Sequence, residues 1–396
     1  MCPNRPNPSS TTISHWQKRF SVTAESQSKI QIIPEYDEQT LNDKTLNIAC
    51  AYAPNAELKM LNKPIPKAEF GEVVLHVRAT GICGSDVHFW KHGHIGDDYV
   101  HQPCGAGHES AGEIIEIGEG VSAEWKVGDR VAIEAGIPCG LPSCQFCLKG
   151  RYNACPKMIF FSSPPIHGTL TRFHAHPAAW LHRLPDNVSY QEGALCEPLA
   201  VALAGLQRAA VSLGDPVLIC GAGPIGLVTL LSAHAAGCFP IIITDLVASR
   251  LEIAKSLVPT VQTLKIEREW SSSDIAEKVK SIGGDAPVEV ALECTGIESS
   301  ITAAIYSVNF GGKVFVIGQG PTVQSYPVGY CSMNEIDLQF QFRYAHQYPK
   351  ALRLVSGGLI NLKPLITHRF PLEKAKDAFA VAGDYSQNSI KVQILD

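Results

Sequence analysis

Apolar positions along this chain change period twice. Before Leu46 they show little periodicity, and Pro, Ser, Thr, Asn and Gln dominate. Residues 1–45 are therefore expected to form a poorly ordered extension. From Leu46 short β-like runs appear: LNIACAY (46–52), EVVLHVRAT (72–80), ESAGEIIEIG (109–118) and DRVAIEA (129–135), punctuated by Gly, Pro and Asn. They predict a partly closed, barrel-like sheet. In KVGDRV (126–131) the Gly-Asp pair lets one strand re-enter after a reversal.

From about Pro198 strands alternate with helices. DPVLICGAG (215–223), FPIIITD (239–245), VEVALECTG (288–296) and KVFVIGQG (313–320) read as buried strands, and PIGLVTLLSAHAAG (224–237) and SRLEIAKSL (249–257) as helices. Such alternation predicts a doubly wound parallel sheet covered on both faces. After about Gln341 it lapses, until NSIKVQIL (388–395) offers a closing strand. That strand is expected to return to the first half, leaving one domain inserted in the other. The expected division is an extension (1–45), a β-rich catalytic domain (46–198), a dinucleotide-binding domain (199–340) and a return segment (341–396), in an α/β chain.

Composition narrows the function classes. The chain has 396 residues, which favours two domains, and 45% hydrophobic residues with 18% charged, which is ordinary for a globular protein. The net charge is −5, with no concentrated Lys/Arg stripe, which argues against nucleic-acid binding. No apolar run reaches the ~18 residues needed to span a bilayer. Of 13 cysteines, four sit between Cys139 and Cys155 and the rest are scattered, many in apolar segments. This fits metal binding plus buried free thiols in a reducing compartment, and a cytoplasmic location. The stretch before Glu25 has Arg5, Lys18, Arg19 and no carboxylate. That composition fits a mitochondrial transit peptide, but Pro3, Pro6 and Pro8 argue against an amphipathic helix there.

The densest chemistry lies between Gly81 and Glu109: a thiol at Cys83, a hydroxyl at Ser85, an imidazole at His88 and the pair His108-Glu109. Sulfur, nitrogen and oxygen donors together suit zinc, and three protein ligands (Cys83, His108, Glu109) leave the fourth position open for catalysis. Gly105-Ala106-Gly107 before the pair allows a tight turn. Glu197, in LCEPLAV, is a carboxylate inside an apolar run, expected to face the zinc-bound water or substrate or, as the plainer alternative, to sit at a helix N-terminus. Ser85 and His88 are suited to pass a proton outward.

Gly221, Gly223 and Gly226 spell G-x-G-x-x-G after a strand and at the start of a helix, the Rossmann arrangement for a pyrophosphate. Asp245, 19 residues after Gly226, is placed to accept from the adenosine ribose diol. NAD is favoured over NADP, although Arg250 could stack on adenine or tolerate a 2′-phosphate. Cys139, Cys144, Cys147 and Cys155, spaced C-x4-C-x2-C-x7-C, predict a closed four-thiolate zinc site with a structural role; free thiols are the alternative.

GICGSDVHFW, GAGHESAG, KVGDRVAIE, LICGAGPIGLVTLL, ALECTGIESSI, QFRY and THRFPLEKA resemble the zinc-dependent medium-chain dehydrogenases, and within them the polyol branch. FWKHG and KGRYNACP lean toward its L-arabinitol 4-dehydrogenase type, beside the xylitol and sorbitol enzymes. The resemblance covers about residues 46–396. It implies a GroES-like catalytic domain, with catalytic zinc on Cys83, His108 and Glu109 and with Glu197 contacting zinc water or the polyol. It implies substrate contacts from Phe89, Arg343 and Tyr344. It implies cofactor contacts from Ile225, Asp245, Arg250, Ile317, Gly318, Gln319, Gln341, Phe342 and Arg343. The implied activity is NAD-dependent oxidation of a secondary hydroxyl of a sugar alcohol to the ketose, by a homotetramer. The chain departs from the family at AHQYP after Tyr344, at PCGAGHE before the His-Glu pair, and by two extra residues in the cysteine lobe. A dehydrogenase of a simpler secondary alcohol or amino-alcohol, or a non-catalytic nucleotide-binding protein, are the alternatives.

Overall fold

A computed structural model describes residues 15–21, 27–34 and 37–396. Six strands form one parallel sheet in the spatial order Gln262–Lys265, Ile241–Asp245, Val217–Cys220, Val290–Glu293, Lys313–Val316, Asp337–Phe340. The first strand of the unit is central and the chain winds outward from it in both directions, the doubly wound order. Strand alternation feeds two cores. Val217, Ile219, Ile241 and Ile243 face helices Cys196–Ala209, Pro224–Ala235 and Ala248–Leu257. Leu218, Cys220 and Ile242 face helices Ser272–Gly283 and Glu298–Ser307.

The β-rich half has a seven-stranded sheet ordered Leu181–Arg183, Arg130–Ile133, Glu109–Ile117, Glu72–Gly81, Lys391–Leu395, Ile366–Pro371, with Phe173–Pro177 also pairing with Glu72–Gly81. A smaller sheet is ordered Gln31–Ile33, Glu57–Lys63, Asn47–Ala53, Cys104–Gly105. Lys391–Leu395 runs antiparallel to Glu72–Gly81, with Gln393 opposite Gly81, so the end of the chain lies in the sheet begun by residues 72–81. No linker separates residues 198 and 199. Helix Cys196–Ala209 runs through that point, and Leu199 shares one core with Ala79 and Ala111 of the β-rich sheet and Ile219 of the parallel sheet.

The expectation of disorder over residues 1–45 needs correction for the described part. Helix His15–Phe20 packs Trp16 and Phe20 against Phe161 and Ile166. Gln31–Ile33 extends the smaller sheet, and Ile33 and Leu41 are buried. These anchors are single apolar residues seated in separate places, so they leave no period in the sequence. Residues 1–14, including Pro3, Pro6 and Pro8, lie outside the described residues, as do residues 22–26 and 35–36. Among the described residues no helix is long and apolar enough to cross a membrane.

Candidate metal and dinucleotide sites

Strand Glu72–Gly81 ends opposite the start of strand Glu109–Ile117, with Gly81 paired to Glu109. A Cβ on Gly81 would lie 2.2 Å from Glu109 Oε2, so only glycine leaves that carboxylate room. Cys83 follows as the N-cap of helix Gly84–His92, its backbone N–H donating to Asp86 Oδ2 at 3.0 Å. Gly107 takes φ +88°, where a side chain would collide with Thr80 and Leu170, and turns His108 inward. Cys83, His108 and Glu109 thereby bring a sulfur, a nitrogen and an oxygen within 4.8 Å of one another, His108 and Glu109 being buried.

Two further residues hold this set, and neither stands out in the sequence. Asp86, 1% exposed, accepts from Ser162 Oγ (2.7 Å) and Gly107 N (3.2 Å) and lies 3.5 Å from His108 Nδ1. Asp86 is the carboxylate that faces that nitrogen, so Nε2 is the one that would turn to a metal. Burial alone would lower His108, but Asp86 and Cys83 hold it well above the usual imidazole range. Lys391, from the closing strand, donates to both oxygens of Glu109 at 2.7 Å and to Ile82 O at 3.1 Å. Burial alone would lower the ammonium, but Glu109 and Cys83 keep it raised. The sulfur, nitrogen and oxygen donors, all within 4.8 Å of one another, suit a zinc ion.

Glu197, 5% exposed in the first turn of helix Cys196–Ala209, lies close enough to His108, Glu109, Lys391 and Arg343 to feel their charges. Burial pushes its carboxyl up to about 7. Arg343 lays its guanidinium 3.5 Å over the Phe160 ring, which itself lies 5.4 Å from the His108 ring. Tyr344 is buried beside Glu197, and its hydroxyl has no hydrogen-bond partner of good geometry. Ser85 and His88 lie on one helix three residues apart, but among the described residues no hydrogen bond joins them. His88 is exposed, its ring 4.5 Å from His92 and 6.5 Å from His94. Phe89 follows His88 on the same helix. It is 4% exposed and stacked on Tyr52 at 5.3 Å in the core, because it shares the inward face of its helix with Asp86.

The glycine turn is packed as its spacing requires. Gly221 has φ +95°, and a Cβ on Gly226 would lie 1.8 Å from Gly221 O. Gly223 caps helix Pro224–Ala235 and faces open space, with Arg250 Nη1 3.8 Å from where its Cβ would be. Asp245 accepts from Ala222 N (2.7 Å) and Val247 N (2.8 Å), tying the second strand to the turn. Across the sheet, buried Glu293 accepts from Thr295 N, Ser300 Oγ and Gly296 N. It fixes a loop on which Gly296, Gly318 and Gly320 interlock.

In the cysteine lobe, Cys139, Cys144, Cys147 and Cys155 converge, none of them in a disulfide. Their sulfurs stand 3.9 Å (Cys139–Cys147), 3.9 Å (Cys144–Cys155) and 3.5 Å (Cys139–Cys155) apart. A tetrahedron with ~2.3 Å zinc–sulfur bonds has edges of about 3.8 Å, so the cage fits zinc. The longer first gap is taken up by a turn: Gly140 has φ +61° and Cys144 N donates to Leu141 O.

Comparison with known proteins agrees with this geometry. Residues 69–186 match the alcohol dehydrogenase GroES-like domain, and residues 224–357 match the zinc-binding dehydrogenase domain. The L-arabinitol 4-dehydrogenase of Aureobasidium melanogenum is 53% identical over 82% of this chain and 87% of its own. The sorbitol dehydrogenase of Rattus norvegicus is 44% identical over 85% and 92%. Among solved structures, 2R,3R-butanediol dehydrogenase from Bacillus subtilis superposes with a TM-score of 0.78 at 27% identity, covering 88% of this chain and 99% of that one.

Proposed function

We propose that this chain, which belongs to the zinc-binding dehydrogenases built on an alcohol dehydrogenase GroES-like domain, is an NAD-dependent polyol dehydrogenase. It oxidises a secondary hydroxyl of a sugar alcohol of the L-arabinitol, xylitol or sorbitol type to the ketose. The observation that carries this reading is one buried site where Cys83, His108 and Glu109 converge and Tyr344 keeps an unpartnered hydroxyl. A substrate rich in hydroxyls satisfies such groups, and one lacking them leaves them unpaired. L-Arabinitol is the first choice, since relatives at 50–53% identity carry its name.

When bound, zinc supplies Lewis acidity toward the substrate hydroxyl, and the nicotinamide accepts the hydride. Asp86 orients His108, and Lys391 offsets the charge of Glu109. Glu197, raised to about 7, is poised to take or return a proton near the reacting carbon. Arg343 and Tyr344 receive the remaining hydroxyls. Ser85 and His88 form the outward end of the proton route. Gly221, Gly223 and Gly226 cradle the pyrophosphate, Asp245 and Arg250 take the adenosine end, and Ile317, Gly318, Gln319, Gln341 and Phe342 border the cofactor.

The chain is also read as a cytoplasmic homo-oligomer, a tetramer by resemblance. Among the described residues twelve cysteines stand outside any disulfide, which suits a reducing compartment, and exposed Val328, Met333 and Phe340 beside the open sheet edge supply an apolar surface.

The test is the rate of NAD reduction with L-arabinitol, xylitol, D-sorbitol and a simple secondary alcohol, with and without a zinc chelator. Chelator-sensitive turnover, fastest with L-arabinitol, is expected. Zinc-loaded, NAD-binding protein that turns over none of the polyols sinks the reading.

A further inference from the structure

Tyr152 and Asn153 sit between Cys147 and Cys155, inside the cysteine lobe, yet their side chains reach out of it. Asn153 Nδ2 donates to Phe342 O at 2.8 Å, and His346 N donates to Tyr152 Oη at 2.8 Å. Those two bonds bracket Arg343, Tyr344 and Ala345. The Tyr152 ring also meets the His346 imidazole edge-on at 4.7 Å. Tyr152 is itself fixed, since it is 4% exposed and its hydroxyl donates to Glu134, which also accepts from His182 at 2.7 Å.

The bracketed stretch is strained. Arg343 has φ 51° and His346 φ 58°, a region non-glycine residues avoid unless their surroundings over-determine it. Helix Cys196–Ala209 holds the flanks, through Gln341 Nε2 to Val201 O (2.7 Å) and Gln347 Nε2 to Gln207 Oε1 (3.0 Å). Between those flanks, the backbone at Phe342 and His346 is gripped by the lobe.

We propose that the cysteine lobe sets substrate affinity: Tyr152 and Asn153 are positioning residues that hold Arg343 and Tyr344 in the pose that receives the polyol. The metal cage, by tying Cys147 to Cys155, fixes the chain that carries both of them. His346, in the run that departs from the family, supplies the N–H and the ring by which the substrate loop is gripped. The inference rests on the polyol reading for its substrate, and on the geometry alone for the coupling.

The experiment compares wild type, Asn153→Ala and Tyr152→Phe. Asn153→Ala removes one exposed bond and leaves the fold intact. Four quantities are read: bound zinc per chain, Kd for NAD, the KM and kcat for L-arabinitol, and hydrogen exchange of the backbone over 342–348. Faster exchange of 342–348 is expected in both variants, with zinc content and the Kd for NAD unchanged. The polyol KM should rise about tenfold, the usual worth of one such bond, with little change in kcat. Unchanged exchange in both variants overturns the coupling, and faster exchange with an unchanged KM overturns its role in affinity. A Kd for NAD rising in step with the KM also overturns the proposal, because it reports general loosening. If wild type turns over no polyol, the functional reading fails while the exchange still decides the coupling.

Discussion

Around Cys83, His108 and Glu109 each ligand leans on the fold, whereas of Cys139, Cys144, Cys147 and Cys155 only Cys155, beside Tyr152, is buried and the other three lean on one another. The first set is seated by a strand pairing, a helix N-cap, a glycine turn, a buried aspartate and a buried lysine. The second hangs on a four-residue helix, Gln145–Leu148, with no buried residue, and Leu141, Phe146 and Leu148 stand exposed. A site supported by its scaffold survives loss of its ion as a shape. A site that is its own scaffold does not.

The sharpest break of this contrast swaps one cysteine in each centre. Cys83→Ala is expected to cut turnover on the order of a thousandfold, the worth of several kcal/mol of Lewis acidity, while the thermal midpoint moves little. Cys144→Ser is expected to lower the midpoint far more. Metal content should fall by one ion per chain in each. A Cys83 variant that unfolds beside an unaffected Cys144 variant reverses the contrast.

The next largest effect concerns the lysine under the first centre. Lys391→Met leaves Glu109 as a buried charge without its partner, which costs about 3–5 kcal/mol when nothing replaces it. Denaturant titration should show that loss in zinc-free protein and a smaller one with zinc added. Equal losses with and without zinc count against Glu109 as a ligand.

The smallest effect tests how acid reaches this support. Burial alone would raise Asp396, but hydrogen bonds from His76, Arg172 and Lys44 hold its carboxyl far below the usual range. A depressed carboxyl stabilises fully above its unfolded value of about 4, and that contribution fades as pH falls below it. Asp396→Asn should therefore flatten the decline in thermal midpoint between pH 5 and pH 3. A variant as acid-sensitive as wild type removes Asp396 from the account.

Much of this was legible in the sequence, and the gaps have physical causes. The four central strands of the parallel sheet announce themselves because both their faces are buried. The edge strands QTLK (262–265) and DLQF (337–340) were missed because they are half exposed and carry polar residues. Asp86 carried a faint signal, since an acid three residues after an N-cap has capping-box spacing. Lys391 carried another, since a lysine inside NSIKVQIL needs a buried partner. The stacking of Phe89 on Tyr52 was not legible, because likeness in sequence does not say which way a helix face turns. The convergence of Glu197 with Arg343 and Tyr344 depends on two distant segments meeting, which no local pattern encodes.

Helix Cys196–Ala209 shares one core with both sheets and carries Glu197 in its first turn. Mechanically it is a pin. Its residues Leu199, Leu203 and Leu206 lie in the one core that joins the two sheets. Helix Pro224–Ala235, which opens with the dinucleotide turn, packs on the same helix, so the pyrophosphate cradle and the Glu197 carboxylate are referred to one shared element. The spacing between the acid–base group and the dinucleotide turn is therefore fixed by the packing of two helices rather than by a hinge.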